Sequence, residues 1–192
     1  SFANAPKADL CGAEVEVTKY FDASKFSSAD FFLSRRLITI ANYTYTKSKL
    51  KVKPGDNVAV FSLSSTNAPD FFRDGAPLTG QSDHLINFQV GLEDTDKLSQ
   101  QTIIMSYASK RVTSRGVATA NQPDVYEYPG FNLDFVARQG VELRGRKFDL
   151  KFEARNLTNR KYNERQSSGS NSVYYNLYNI GVTVNFSIST TF

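Results

Sequence analysis

Apolar and polar residues alternate along most of this 192-residue chain. The clearest stretch is the last one, where apolar side chains at even positions from Ile180 to Ile188 alternate with uncharged residues at odd positions. Because successive side chains of a β-strand point to opposite sides, a period of two held this long predicts a strand with one apolar face. Residues 147–155 alternate in the same way, but their polar positions are all charged.

The same pattern predicts seven strands and no helix. Two of the strands, 33–50 and 98–113, alternate less cleanly, so the pattern predicts their type but not the side to which they face. The predicted strands cover residues 12–22, 33–50, 81–94, 98–113, 129–139, 146–158 and 173–192.

The predicted connections alternate in length. The shorter ones cover residues 23–32, 95–97 and 140–145. The longer ones cover residues 51–80, 114–128 and 159–172, and they contain clusters of Pro, Gly, Asn and Ser. Short turns at one end and long loops at the other are typical of an outer-membrane β-barrel. If the carboxyl terminus lies in the periplasm, this strand order places every long loop outside the cell.

Composition limits the function classes. No run approaches the roughly 18 apolar residues of a spanning helix, so any membrane segment must be a strand. The net charge is +4, but the cations are scattered among carboxylates, which does not favour a nucleic-acid partner. Cys11 and His84 are the only residues of their types, and neither a catalytic motif nor a metal-ligand spacing is present. We therefore expect no catalytic residue, no metal and no cofactor, and thus no enzyme.

Four parts of the chain carry a further pattern. They are LTGQSDHLINFQVGLED at 78–94, KFDLKFEARNLTNRKY at 147–162, the ending NIGVTVNFSISTTF, and GAEVEVTKYF at 12–21 followed by ANYTYTKS at 41–48. In this order and spacing they resemble the C-terminal barrel of TonB-dependent outer-membrane receptors of Gram-negative bacteria.

The resemblance implies a plugged barrel of about 22 strands that imports a scarce ligand such as a siderophore, cobalamin, haem or a glycan. Residues 1–192 would be the C-terminal segment of that barrel, with no plug domain. No secretory signal opens the chain at Ser1, so we expect a processed or truncated piece. The implied partners are the N-terminal remainder with the plug and the other strands, TonB through that plug, and outer-membrane lipid with lipopolysaccharide.

Three sets of residues are candidates for function. The apolar positions of the last strand are expected to face lipid and to act as an assembly signal: Val182, Val184, Phe186, Ile188 and Phe192. Four lysines that share one parity with Tyr43 and Tyr45 either contact lipopolysaccharide or form a solvated loop stem: Lys47, Lys49, Lys51 and Lys53. The charged parity of the strand at 146–158 either lines a translocation path or neutralises itself across a wet lumen wall: Lys147, Asp149, Lys151, Glu153 and Arg155.

Two alternatives share parts of this pattern. A passive porin or an adhesin-type barrel has the same strand physics without a plug. A soluble β-sandwich enzyme or binding protein would also alternate, with its polar face outward. The absence of Trp argues against a membrane, because interface belts favour Trp, although Tyr and Phe can serve there.

Overall fold

The chain folds into antiparallel sheets with almost no helix. The computed structural model describes residues 5–60 and 65–190, and eleven strands lie in these ranges. They are β1 (Lys7–Asp22), β2 (Arg35–Lys51), β3 (His84–Asp94), β4 (Ser99–Ala108), β5 (Arg111–Ser114), β6 (Val125–Glu127), β7 (Gly130–Leu143), β8 (Arg146–Arg155), β9 (Lys161–Ser168), β10 (Asn171–Asn179) and β11 (Thr183–Thr190).

Seven strands form the main sheet, in the order β1-β2-β3-β4-β7-β8-β11. Each of the seven predicted strands contributes one strand to this sheet. No register shift interrupts its ladders, so the two-residue period stays in phase from β1 to β11. The sheet is open: in the described part of the chain, its edge strands β1 and β11 do not pair with each other.

A second sheet, which we call the extension sheet, continues four strands of the main sheet. Its order β5-β6-β9-β10 repeats the order β4-β7-β8-β11. Predicted strand 98–113 therefore divides into β4 and β5. The β3–β4 ladder ends at Ser109, where the His84 N–H donates to Ser109 Oγ at 3.0 Å and the Ser109 carbonyl accepts from the Ser82 hydroxyl at 2.7 Å. Predicted strand 173–192 divides into β10 and β11 around Gly181, whose φ is +81°.

Residues 159–172 were predicted as a loop, but they form most of the β9–β10 hairpin. Its turn contains Gly169 with φ +58°, a conformation that glycine adopts without steric cost. Another predicted loop, 114–128, contains β6. Both segments consist mostly of polar residues with Gly or Pro, so their composition alone suggested loops.

The two ends of the main sheet differ. At one end, the turn end, the connections are residues 95–98 and 144–145 and the link 23–34, which holds a 3₁₀ turn (Ala23–Lys25) and the helix α1 (Asp30–Leu33). The helix was not predicted, because four residues are too few for a helical period to show. At the other end, the loop end, the connections are long and include the extension sheet.

The main sheet is one layer thick. A small core of Leu50, Val52, Val58 and Ala68 lies at the loop end, beneath the connection that leads from β2 to β3. That connection is tied to β2 by backbone hydrogen bonds, including Leu50 N–H to the Ala76 carbonyl at 2.8 Å. On the strands of the main sheet, Leu50 and Ala154 are the only buried hydrophobic residues within the described ranges.

Candidate functional site

One side of the main sheet, the apolar face, is mostly hydrophobic across all seven strands, and the same register also places Lys19, Thr39 and Gln101 on it. Residues that are directly opposed in antiparallel strands point to the same side, and the continuous register therefore assigns each position to a face. The face includes Val15, Val17, Ala41, Tyr43, Ile86, Phe88, Val90, Ile103, Met105, Tyr107, Phe131, Leu133, Phe135, Leu150, Phe152, Val184, Phe186 and Ile188.

Nothing in the described part of the chain covers this face. Phe186 is 63% exposed and Ile188 60%, and the register places them opposite Phe152 and Leu150. Val182 precedes β11 and is also exposed, whereas Phe192 lies outside the described residues. An uncovered apolar surface that crosses seven strands is far larger than the scattered exposed hydrophobic residues of a soluble monomer.

Charged residues bound the apolar face along β2. Arg35 lies on this face at the turn end, where its guanidinium is 3.8 Å from the Asp94 carboxylate and stacks 4.1 Å from the Phe31 ring centroid. Lys47 lies on the same face twelve residues later. At the usual rise of about 3.4 Å per residue this separation is roughly 40 Å, and a strand tilt of about 40° reduces it to roughly 30 Å.

The predicted lysine row lies on the apolar face, next to a group of aromatic rings. The Tyr43 hydroxyl is 2.9 Å from His84 Nδ1, and the Tyr45 ring centroid is 5.3 Å from that of His84. Beyond these rings, β2 continues with Lys47, Lys49 and Lys51 on the same side, and Lys53 follows the strand. Lys47 Nζ is 2.6 Å from Asp83, and Lys51 Nζ is 3.5 Å from Asp9.

The opposite side of the main sheet, the polar face, carries the charged row of β8. Lys151 Nζ lies 3.1 Å from Glu153, and Arg155 lies 2.8 Å from Glu153 and 3.3 Å from Asp134 on β7. Asp149 pairs with Arg138 of β7, while Lys147 is directly opposite Glu142. The row is thus largely neutralised within the sheet. Such exposed pairs contribute little stability individually, typically below about 1 kcal/mol each.

Asn156 joins the two sheets, a role that its sequence context did not predict. Its Nδ2 donates to the Gly181 carbonyl at 2.7 Å and to the Arg160 carbonyl at 3.2 Å, and its Oδ1 accepts from Arg160 N–H at 2.8 Å. Its φ of +56° is left-handed, a region that Asn tolerates better than most residues. The segment between β8 and β9 is therefore a hydrogen-bonded junction between the main sheet and the extension sheet.

The extension sheet contains buried polar groups that the sequence also did not reveal. Glu164 is 6% exposed and accepts from Asn176 Nδ2 at 2.6 Å and from the Tyr162 hydroxyl at 2.9 Å. Burial and the hydrogen bond to Glu164 raise the pKa of Tyr162 to about 12. Glu127, directly opposite Glu164, is paired with Arg111 at 2.7 Å. The cluster orders this sheet, and no reactive geometry follows from it.

Neither a search for metal-ligand clusters nor comparison with known proteins adds a functional assignment. Across residues 5–60 and 65–190, no three His, Cys, Asp or Glu side chains are placed to hold a metal ion. No helix in these ranges is long and apolar enough to cross a membrane. Comparison with known protein families, with curated proteins and with solved structures found no match.

Proposed function

We propose that the main sheet is part of the wall of an outer-membrane β-barrel. The observation that carries this proposal is the single-layer sheet with an uncovered, mostly apolar face and an ion-paired polar face. In lipid the apolar face is solvated by hydrocarbon, and the polar face borders water inside the barrel. The charged limits at Arg35 and Lys47 fit an apolar band about 25 Å tall with its interfaces.

The connections support an orientation. Short turns of such barrels face the periplasm and long loops face the outside. On this basis the turn end is periplasmic, β11 runs toward the periplasm, and the extension sheet is an extracellular continuation of the wall. Tyr43, Tyr45 and His84 then lie at the outer interface, where amphipathic rings are favoured.

The rest of the barrel comes from other strands. In the described part of the chain β1 pairs only with β2, and β11 only with β8. A closed barrel of about 22 strands would need about fifteen more, which the N-terminal remainder would supply together with the plug. In this arrangement the end of the chain, including Phe192, would also serve as the assembly signal.

The activity proposed for the complete protein is TonB-dependent import of a scarce ligand without chemical turnover. Support comes from the family resemblance of the segments at 12–21, 41–48, 78–94, 147–162 and 179–192. The charged row of β8 would border the lumen. Ligand specificity would lie in the extracellular loops and the plug.

The membrane face can be tested by quenching from lipid. In the full-length protein without other thiols, with Cys11→Ser as background, single cysteines at Phe186 and Asn185 are labelled with a fluorophore after reconstitution. A quencher attached to lipid acyl chains should quench the label at 186 strongly and the label at 185 weakly. Equal quenching, or recovery of the full-length protein from the soluble fraction, would refute the membrane assignment.

The transport proposal needs a separate measurement. Uptake of candidate ligands is compared in cells that carry the full-length protein with and without functional TonB. Uptake that requires TonB supports the receptor, whereas equal uptake in both strains supports a passive porin.

A further inference from the structure

A cavity of about 400 Å³ lies at the loop end of the main sheet. It exists because β3 begins only at His84, whereas β2 continues to Lys51. The chain before β3 leaves the ladder, and Thr79 instead forms a parallel bridge with Val112 of β5. The gap between β2 and β5 is therefore lined by side chains that are distant in sequence.

Four cations line this cavity from two sides. Lys47 and Lys49 come from β2, Lys110 immediately precedes β5, and Arg111 begins β5. The wall also includes Tyr126, whose ring centroid is 5.1 Å from Lys110 Nζ.

Two of the four cations are already compensated. Lys47 pairs with Asp83 at 2.6 Å, and Arg111 pairs with the buried carboxylate of Glu127 at 2.7 Å. Within the described ranges, Lys49 and Lys110 have no carboxylate within ion-pair distance. The cavity thus contains two cations without a direct ion pair, in a pocket of ordinary ligand-binding size. Asp9, directly opposite Lys49 in the register, lies 3.5 Å from Lys51 Nζ.

We propose that this cavity binds a phosphate group of an anionic lipid headgroup in the outer leaflet. The inference rests on the proposed membrane orientation, in which Lys47 and Lys49 lie on the lipid side just beyond the interfacial rings. Lysine is a point-charge binder of phosphate, and two ammonium groups on opposite walls match its double negative charge. The headgroup is held by a pocket with two walls and not by the linear lysine row alone.

Binding by the linear lysine row and binding by the pocket predict different effects of lysine substitutions on lipid affinity. Binding of a diphosphorylated lipid A to the full-length protein in neutral detergent micelles is measured by native mass spectrometry. Lys49→Gln combined with Lys110→Gln should weaken binding roughly thirtyfold, if each cation near a lipid phosphate contributes its usual share. Lys51→Gln combined with Lys53→Gln removes the same charge from outside the pocket and should weaken binding less than about threefold.

A distant pair, Lys25→Gln with Lys97→Gln, controls for net charge and should leave binding unchanged. Equal weakening by all three double variants would mean diffuse attraction and would overturn the pocket. No weakening by Lys49→Gln with Lys110→Gln, in molecules that keep their folded gel mobility, would overturn it as well.

The source of the phosphate is decided by two further probes. Inorganic phosphate and the deacylated, phosphorylated headgroup sugar are offered in the same micelles. Binding of either as tightly as the intact lipid would assign the cavity to a free phosphate compound and overturn the lipid proposal. Lipid quenching at position 186 is measured on the same preparation, so failure of the pocket is distinguished from failure of the membrane assignment.

Discussion

Replacing Phe186 by lysine would place a charge in the middle of β11 on the apolar face. Phe186 is the fourth of eight residues in β11 and is 63% exposed. Removing its outward surface from lipid costs roughly 1–2 kcal/mol, about two-thirds of the value for a whole Phe side chain. A lysine near the midplane adds about 2–4 kcal/mol. The expected loss in the free energy of unfolding is therefore about 3–6 kcal/mol.

Asn185→Lys is the matched control on the polar face. Asn185 lies directly opposite Glu153, so the new ammonium would meet a carboxylate beside water. The expected change is within about 1 kcal/mol. Thr183 is a poorer control because it lies opposite Arg155, and a lysine there would add like-charge repulsion.

The two variants are compared in the full-length protein refolded into phospholipid vesicles. Unfolding is followed in guanidinium, and the folded fraction is measured by the heat-dependent shift in gel mobility. Equal losses for Phe186→Lys and Asn185→Lys would refute the assignment of lipid and lumen to the two faces. A larger loss for Asn185→Lys would reverse it.

Two further predictions concern the extension sheet. Asn156→Ala removes three hydrogen bonds and leaves alanine in a left-handed conformation, so the free energy of unfolding should fall by about 2–4 kcal/mol. Asn156→Gly removes the same bonds but tolerates that φ, so its loss should be about 1 kcal/mol smaller. Equal chemical-denaturation midpoints for the two variants would argue against the junction. Because the pKa of Tyr162 is raised from 10.0 to about 12, its stabilising contribution is present below pH 10 and is lost as pH rises toward 12. Ultraviolet titration should show late-ionising tyrosines, since burial also raises the pKa of Tyr126, and Tyr162→Phe should remove one of them; an unchanged titration would contradict the assigned environment.

The strands of the main sheet other than β2 and β4 could be predicted because each keeps a period of two over much of its length. The facing of β8 and β11 also follows from alternation, since every second residue of these strands is polar and no apolar residue interrupts that set. Facing was open for two strands, and the structure shows the reason. Ile38, Ile40 and Ile104 lie on the polar face, so β2 and β4 are apolar on both sides over part of their length.

Strands β6 and β9 of the extension sheet were not predicted, because β6 has only three residues and β9 is mostly polar. Residues 163–172 are almost entirely polar, and a polar stretch has no two-residue period to detect. The division between β4 and β5 depends on hydrogen bonds that Ser109 accepts from His84 N–H and from the Ser82 hydroxyl, both distant in sequence. Likewise, the cavity unites Lys49 with Lys110, which only the late start of β3 brings together.

The open edges of the main sheet limit what the sheet can be in a membrane. A strand paired on one side leaves about half of its N–H and C=O groups without partners, so some ten groups of β1 would face hydrocarbon over a ten-residue crossing. Each such group costs several kcal/mol in lipid, and the total for one edge exceeds the whole stability of a typical domain, about 5–15 kcal/mol. In water the same edge would cost far less, because solvent satisfies it. If the apolar face is in lipid, β1 and β11 must therefore pair with further strands, and membrane insertion and completion of the barrel are a single requirement.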